Sequence, residues 1–290
     1  MGVSSAGTTR ANVEAVLLGM AQDGGLPQAG CDCPTCRAAW EDPCQVRQVA
    51  CLGLIDRSAR RSWMIDATPD FRDQWHSLQS MAPECSLAGI YLTHAHVGHY
   101  AGMIHLGREA ANAAGLSVHA SVRTASFLRC NGPWSQLVAQ GNIRLQTVTP
   151  GQEVEISPAL QLMPYSVPHR DELSDTLAYV VRGPSCRLFY CPDIDGWDLW
   201  PHDLRGFVAD MDVALLDGTF FSPDELPGRD VRLIPHPLAR DTAERLTGVD
   251  CDVRLIHLNH SNPLHHPGPE RNWLAARGMG VGMTGDRWSL

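Results

Sequence analysis

Short apolar runs recur along this chain at lengths that suit buried strands. Segments 14–19, 51–56, 62–65 and 87–92 predict strands of a first half. Alternating or continuous apolar stretches at 143–148, 160–167, 176–181 and 187–191, and runs at 213–216, 253–257 and 281–284, predict the strands that follow. The alanine-rich block 102–114, stopped by Gly115, predicts a helix, and 239–246 predicts another. The proline-rich, charged stretch 222–237 predicts a loop facing the functional site. With no fixed-period repeat and no low-complexity linker, the expectation is a flexible N-terminus over 1–12 and one α/β domain over 13–290.

Composition narrows the function classes. The chain has 290 residues, enough for a substantial core, and a formal net charge of −9. That charge argues against a nonspecific nucleic-acid binder, but a divalent cation would invert the local field for an anionic small molecule. The sequence has no apolar run of membrane-spanning length, and its opening is polar rather than charged-then-apolar. We therefore expect a cytoplasmic protein with a small-molecule substrate and no membrane or nucleic-acid partner. A homodimer is left open.

The chemistry concentrates at Thr93-His94-Ala95-His96-Val97-Gly98-His99. With 13 histidines in the chain, isolated pairs arise by chance. Three imidazoles between a strand signal and a helix signal instead predict a metal site at the carboxyl edge of a sheet, suited to Zn, Mn or Fe. A second cluster, Cys31-Asp32-Cys33-Pro34-Thr35-Cys36, places three soft donors in the loop 24–36. It reads as a structural zinc knuckle, with a redox-active or merely reduced cysteine cluster as the alternative. The remaining cysteines, 44, 51, 85, 130, 186, 191 and 251, read as small buried apolar residues.

His94-Ala95-His96-Val97-Gly98-His99 resembles the His-x-His-x-Asp-His motif of the metallo-β-lactamase superfamily, with Gly98 where that family carries Asp. The resemblance implies an αβ/βα sandwich of two mixed β-sheets flanked by helices, with a mono- or dinuclear metal site between them. Asp66 matches the Asp that braces the metal loop, His169 the third ligand of the first metal, Asp193 the bridging carboxylate and His257 the late histidine. His94, His96 and His169 would then hold the first metal. His99 and His257 would serve the second, with Asp193 between the ions. Gly98 would cost the second site a carboxylate and weaken its occupancy.

The Cys-x-Cys-x-x-Cys loop, with His260 as its fourth ligand, is similar to the phosphonate-pathway cyclic phosphodiesterases and the PQQ-biosynthesis protein B group. Unlike the latter, this chain keeps both His94 and His96, which favours a hydrolase-like relative. The resemblance implies a metal-dependent hydrolase of a small ester, most readily a phosphodiester or phosphotriester, using a metal-activated hydroxide. Asp193 and His236 would be its catalytic groups, His236 as general acid or otherwise a surface histidine. The alternatives are an iron-dependent hydroxylase of the PQQ type and a noncatalytic zinc scaffold. Zn2+ is expected at the structural site and at the active site, where Mn2+ or Fe2+ would also fit. Asp217 reads as an acceptor orienting a ligating imidazole or as a turn cap. Asp23, Gln28, His265 and His266 are candidate pocket residues, the last two more readily solvated. Trp134, Trp197 and Trp200 would wall an apolar pocket or fasten loops to the core.

Overall fold

A computed structural model describes residues 12–226 and 233–290. Most of the predicted flexible N-terminus and the middle of the 222–237 loop lie outside the described residues. Among the described residues fourteen strands run in chain order: β1 (Val13–Gly19), β2 (Cys51–Asp56), β3 (Arg61–Ile65), β4 (Ser86–Tyr91), β5 (Leu116–Ala120), β6 (Ile143–Thr147), β7 (Val154–Ser157), β8 (Leu160–Val167), β9 (Thr176–Arg182), β10 (Arg187–Cys191), β11 (Val213–Asp217), β12 (Asp252–Ile256), β13 (Gly280–Val281) and β14 (Arg287–Ser289). They form two seven-stranded sheets, ordered β14-β1-β2-β3-β4-β5-β6 and β13-β12-β11-β10-β9-β8-β7. Both are mixed: β3 to β6 run parallel, as do β10 to β13, while the remaining neighbours are antiparallel.

Helices α1 (Pro34–Glu41), α2 (Phe71–Met81), α3 (Val97–Tyr100), α4 (Val122–Cys130), α5 (Trp134–Ala139), α6 (Leu204–Ala209), α7 (Ala239–Leu246) and α8 (Pro269–Ala275) fill the connections. The two-residue period of the first sheet explains the layering. Ala15, Leu17, Leu52, Leu54, Trp63 and Ile65 share one core with Leu162, Tyr179 and Val181 of the facing sheet. The intervening Val16, Leu18, Ile55 and Met64 pack instead with Phe71 and Leu78 of α2. Each such fully buried side chain contributes about 1.5–3 kcal/mol over exposure. The sheets are also stitched by hydrogen bonds: Tyr179 Oη donates to the Leu92 carbonyl at 2.7 Å, and the Leu177 amide to the Thr93 carbonyl at 2.9 Å.

Parallel strands deliver their carboxyl ends to a common edge, so the segments after β3, β4, β10, β11 and β12 carry the site residues. One expectation fails here. Instead of a helix over 102–114, α3 passes into a 3-10 turn, Ala101–Leu106, and then irregular turns. Gly102 is pressed against the loop after β3, where a Cβ would lie 1.9 Å from the Thr68 carbonyl oxygen. This contact, with Gly107 close behind, defeats the alanine-rich pattern. Cys44 and Cys130 are exposed and Cys186 and Cys251 half-buried, so only some of the scattered cysteines are core residues. Among the described residues no helix is long and apolar enough to cross a membrane.

Candidate metal centre

The first half of the site is organised by Asp66, fully buried immediately after β3. Its φ of +72° lies in the left-handed region, an uncommon conformation for a residue with a Cβ. The Asp66 carboxylate accepts from the Thr93 amide at 2.8 Å, from the Thr93 hydroxyl at 3.0 Å and from His99 Nδ1 at 2.7 Å. Because Thr93 donates its hydroxyl proton to Asp66, its oxygen accepts from His94 Nδ1 at 3.0 Å. A carboxylate can only accept, so the Nδ1 atoms of His94 and His99 carry the protons and their Nε2 lone pairs face the site.

The second half repeats the device. Asp217, at the end of β11, accepts from the Thr219 amide at 2.8 Å and its hydroxyl at 2.7 Å. Thr219 Oγ1 in turn accepts from Nδ1 of His257 at 2.9 Å. His257, just past β12, also has a left-handed φ, +60°. His169 Nδ1 donates to Asp195 at 2.8 Å, and His96 Nε2 lies 3.4 Å from Glu172. All five imidazoles thus have one nitrogen facing an oxygen acceptor and the other turned inward.

The inward nitrogens converge on Asp193. His94 Nε2 and His169 Nε2 lie 3.4 and 3.0 Å from Asp193 Oδ2, and His96 Nδ1 is 3.1 Å from His169 Nε2. Nitrogen ligands about 2.0–2.1 Å from a tetrahedral zinc stand about 3.4 Å apart, the scale of these separations. A second group comprises Asp23, His99, Asp193 and His257. Buried polar atoms His94 Nε2, His99 Nε2 and Asp193 Oδ1 have no hydrogen-bond partner. Buried polar atoms aimed at one another with so few protons among them fit a bound cation.

Electrostatics sort the groups. Burial, reinforced by His99, holds His94 well below the usual histidine range, and burial with His169 lowers His96, so both are neutral donors. Burial disfavours charge on His99 too, but Asp66 and Asp23 outweigh it and push its pKa well up. For Asp193 burial is outweighed by His257, His169 and His236, which keep the carboxylate well below its ordinary range. His236 is no surface histidine: its side chain is buried, with Nδ1 2.8 Å from Asp217 and 3.4 Å from Asp193. Those two carboxylates overcome burial and raise it to about 9.

The cysteine loop forms a separate centre. Sγ of Cys31, of Cys33 and of Cys36 each lies 3.6 Å from Nδ1 of His260. A tetrahedral zinc with Zn–S about 2.3 Å and Zn–N about 2.0–2.1 Å sets that edge at about 3.6 Å. Cys33 caps α1 and Cys36 lies in its first turn, so a short helix presents two of the thiols.

Residues 61–260 match the family described as Beta-lactamase superfamily domain. The chain belongs to this superfamily. Among similar proteins, Coenzyme PQQ synthesis protein B of Methylobacterium radiotolerans is 27% identical over 304 residues, covering 95% of this chain and 99% of the relative. The protein of the same name from Azotobacter vinelandii is 27% identical over 299 residues, covering 93% and 97%. Zinc-bound PqqB from Methylobacterium extorquens superposes with a TM-score of 0.80 at 22% identity, covering 96% of this chain and 100% of that one. A diphosphatase from the PhnP family gives 0.68 at 20%, covering 95% and 96%. The two-sheet β-lactamase-superfamily sandwich expected from the histidine motif is therefore the observed fold.

Trp197 and Trp200 fasten loops, donating to Thr242 Oγ1 at 2.8 Å and to the Ser166 carbonyl at 2.9 Å, and also line a surface pocket with His202 and Arg245 that holds none of the metal-centre residues. Trp134 packs on Tyr100 and Phe127. Gln28 belongs to the cysteine loop, its amide 3.4 Å from Cys36 Sγ. His265 is buried rather than solvated, with Nε2 2.9 Å from the Asn259 carbonyl, while His266 is exposed. Asp217 reaches His257 through Thr219 rather than directly. Thr93, Thr219, Asp195 and Glu172 were not singled out from sequence. A threonine beside a candidate ligand or beside a strand-terminal Asp is the signal that would have found the first two.

Proposed function

We propose that the chain is a metal-dependent hydrolase of a small ester, with a phosphodiester as the leading substrate class. The observation that carries this reading is the convergence of five tautomer-fixed imidazoles on the single carboxylate of Asp193. His94, His96 and His169 with Asp193 would hold one divalent ion, and a second donor group shares Asp193. A divalent ion bound there supplies a Lewis acid and brings the pKa of water down to about 7, so that hydroxide is available at neutral pH.

The chain's own residues do the rest. Thr93, Asp66, Asp195 and Glu172 hold the imidazole rings and set which nitrogen faces inward. Asp193 offers one oxygen to the His94 and His169 side and the other to His236. His236, held through Nδ1 by Asp217, is placed to give a proton to a departing alkoxide. The structural zinc reading of Cys31, Cys33, Cys36 and His260 rests on the uniform 3.6 Å edges. His96, Asp23 and Asp195 keep 15%, 17% and 20% of their side chains exposed, so the centre is reached by solvent on their side.

The test is hydrolysis of bis(p-nitrophenyl) phosphate by protein loaded in turn with Zn2+, Mn2+ and Fe2+. Turnover with one of these ions, lost on His94→Ala with the fold intact, is the expected result. No turnover of phosphodiester, phosphotriester or carboxylic ester with any of them would sink the reading. A second reading, a redox step of coenzyme PQQ synthesis, is favoured by the near full-length similarity to proteins of that name. Imidazole and carboxylate donors suit Fe(II) as well as Zn. Iron in the purified protein, with oxygen uptake on a tyrosine-containing peptide, would establish it over the hydrolase.

A further inference from the structure

Gly98 does not leave a void in the site. A Cβ built there would lie 2.3 Å from Asp23 Oδ1, 2.5 Å from its Cγ and 2.7 Å from its Cα. Those separations are far inside van der Waals contact, so a side chain at 98 and the Asp23 carboxylate exclude one another. Asp23 comes from the segment between β1 and the cysteine loop, 75 residues before Gly98 in sequence (98 − 23). It is carried to the site by backbone pairing of that segment with the one holding His257: the Gln22 amide donates to the Leu258 carbonyl at 3.0 Å, and the Leu258 amide to Met20 at 3.1 Å.

Asp23 Oδ1 stands 3.2 Å from His99 Nε2 and 3.3 Å from His257 Nε2. Both rings have Nδ1 committed elsewhere, to Asp66 and to Thr219. The second nitrogens of both rings therefore meet one carboxylate oxygen, and the space between them must hold a proton or a cation. Such a set of acceptors is stable only around a positive charge.

We propose that Asp23 supplies the carboxylate of a second divalent-cation site, built with His99, His257 and Asp193, in place of any side chain at position 98. Loss of a carboxylate from the histidine motif then does not weaken the second site; the ligand has moved to another loop. Gly98 is kept small because Asp23 needs the space. The same loop continues into Cys31, Cys33 and Cys36, so the cation is held from the cysteine-loop side of the molecule. The inference rests on the metal-centre part of the function proposed above and is independent of the reaction catalysed.

The test is titration of the full-length protein with Co2+, followed by absorption spectroscopy and calorimetry. Thiolate-bound Co2+ reports the cysteine site through its charge-transfer band, and histidine-bound Co2+ through weaker visible bands. Wild type should take up one thiolate-bound and two histidine-site ions per chain. Asp23→Asn, close to isosteric, should weaken one histidine-site ion by at least about 100-fold, since losing even an outer partner of a ligand costs about 10–100-fold. Its other histidine-site ion and its thiolate band should be unchanged, which also certifies that the variant folds. Gly98→Asp alone should weaken the same ion through crowding, and Asp23→Gly with Gly98→Asp should restore it. Two histidine-site ions of unchanged affinity in Asp23→Asn would overturn the assignment of Asp23 alone. No histidine-site ion in wild type would overturn this inference and the proposed metal centre together.

Discussion

Replacing Thr219 by Val removes one hydroxyl while nearly keeping the side-chain shape, and it probes how His257 is held. Thr219 is buried, and its Oγ1 links His257 Nδ1, at 2.9 Å, to Asp217 Oδ1, at 2.7 Å. In the Val variant Asp217 keeps the Thr219 amide, the Ile194 amide and His236, but the His257 N–H loses the bond that fixes its tautomer. A buried donor left unpaired costs about 1–3 kcal/mol. Loss of an orienting partner typically lowers metal affinity about 10–100-fold, or about 1.4–2.7 kcal/mol. Calorimetric titration of chelator-treated protein with Mn2+ or Zn2+ should show the ion on the His99 and His257 side weakened to that extent. The ion on the His94, His96 and His169 side should be unchanged, because its rings are oriented by Thr93, Asp195 and Glu172. Thr219→Ser keeps the hydroxyl and should bind like wild type. Wild-type affinity in the Val variant, or a Ser variant as weak as the Val one, would show that the Thr219 hydroxyl does not hold the His257 ring.

Cys33→Ser removes one of four donors from the cysteine centre and should release its zinc, lowering the melting temperature by more than about 5 °C. Because residues 20–22 pair with the backbone around Leu258, the same variant should weaken the ion near Asp23 while sparing the one at His94, as metal titration would show. His265 is buried and neutral, with burial lowering its pKa to about 4 against 6.5 in an unfolded chain. The unfolded state therefore binds more protons between those values, and the stability this residue contributes is present above the higher value and lost as pH falls towards the lower one. Comparing urea unfolding near neutrality and near pH 5, His265→Gln, which keeps a donor for Asn259, should lose about 2 kcal/mol less than wild type. Equal losses in the two proteins would contradict this.

Strands written as continuous apolar runs were readable because burial on both faces leaves little room for polar residues. β2 and β10 occupy the predicted bounds for that reason; β8 does so because buried and half-buried residues alternate along it, and α7 also keeps its predicted bounds. The histidine motif was readable for a different reason: metal chemistry needs particular donors, and three of them fall within the six residues 94–99. The helix expected over 102–114 failed because one tertiary contact, Gly102 against the loop after β3, outweighs several alanines. Helices such as α4, α5 and α6 are short and lie against the sheets, so their patterns do not rise above those of their flanks. Thr93 and Thr219 were invisible because a threonine gains meaning only when its two partners are known. Asp23 is the instructive case. Reading the motif alone, Gly98 is a missing ligand; in three dimensions it is the space that another carboxylate occupies.

The most direct test of the metal centre is anomalous diffraction from crystals of metal-loaded protein, collected on either side of the absorption edge. Two peaks should flank Asp193, one about 2.0–2.2 Å from ligand atoms of His94, His96 and His169 and the other equally close to His99 and His257, with a third among Cys31, Cys33, Cys36 and His260. Absence of any peak within bonding distance of Asp193 and the His94 cluster would rule out a metal centre there.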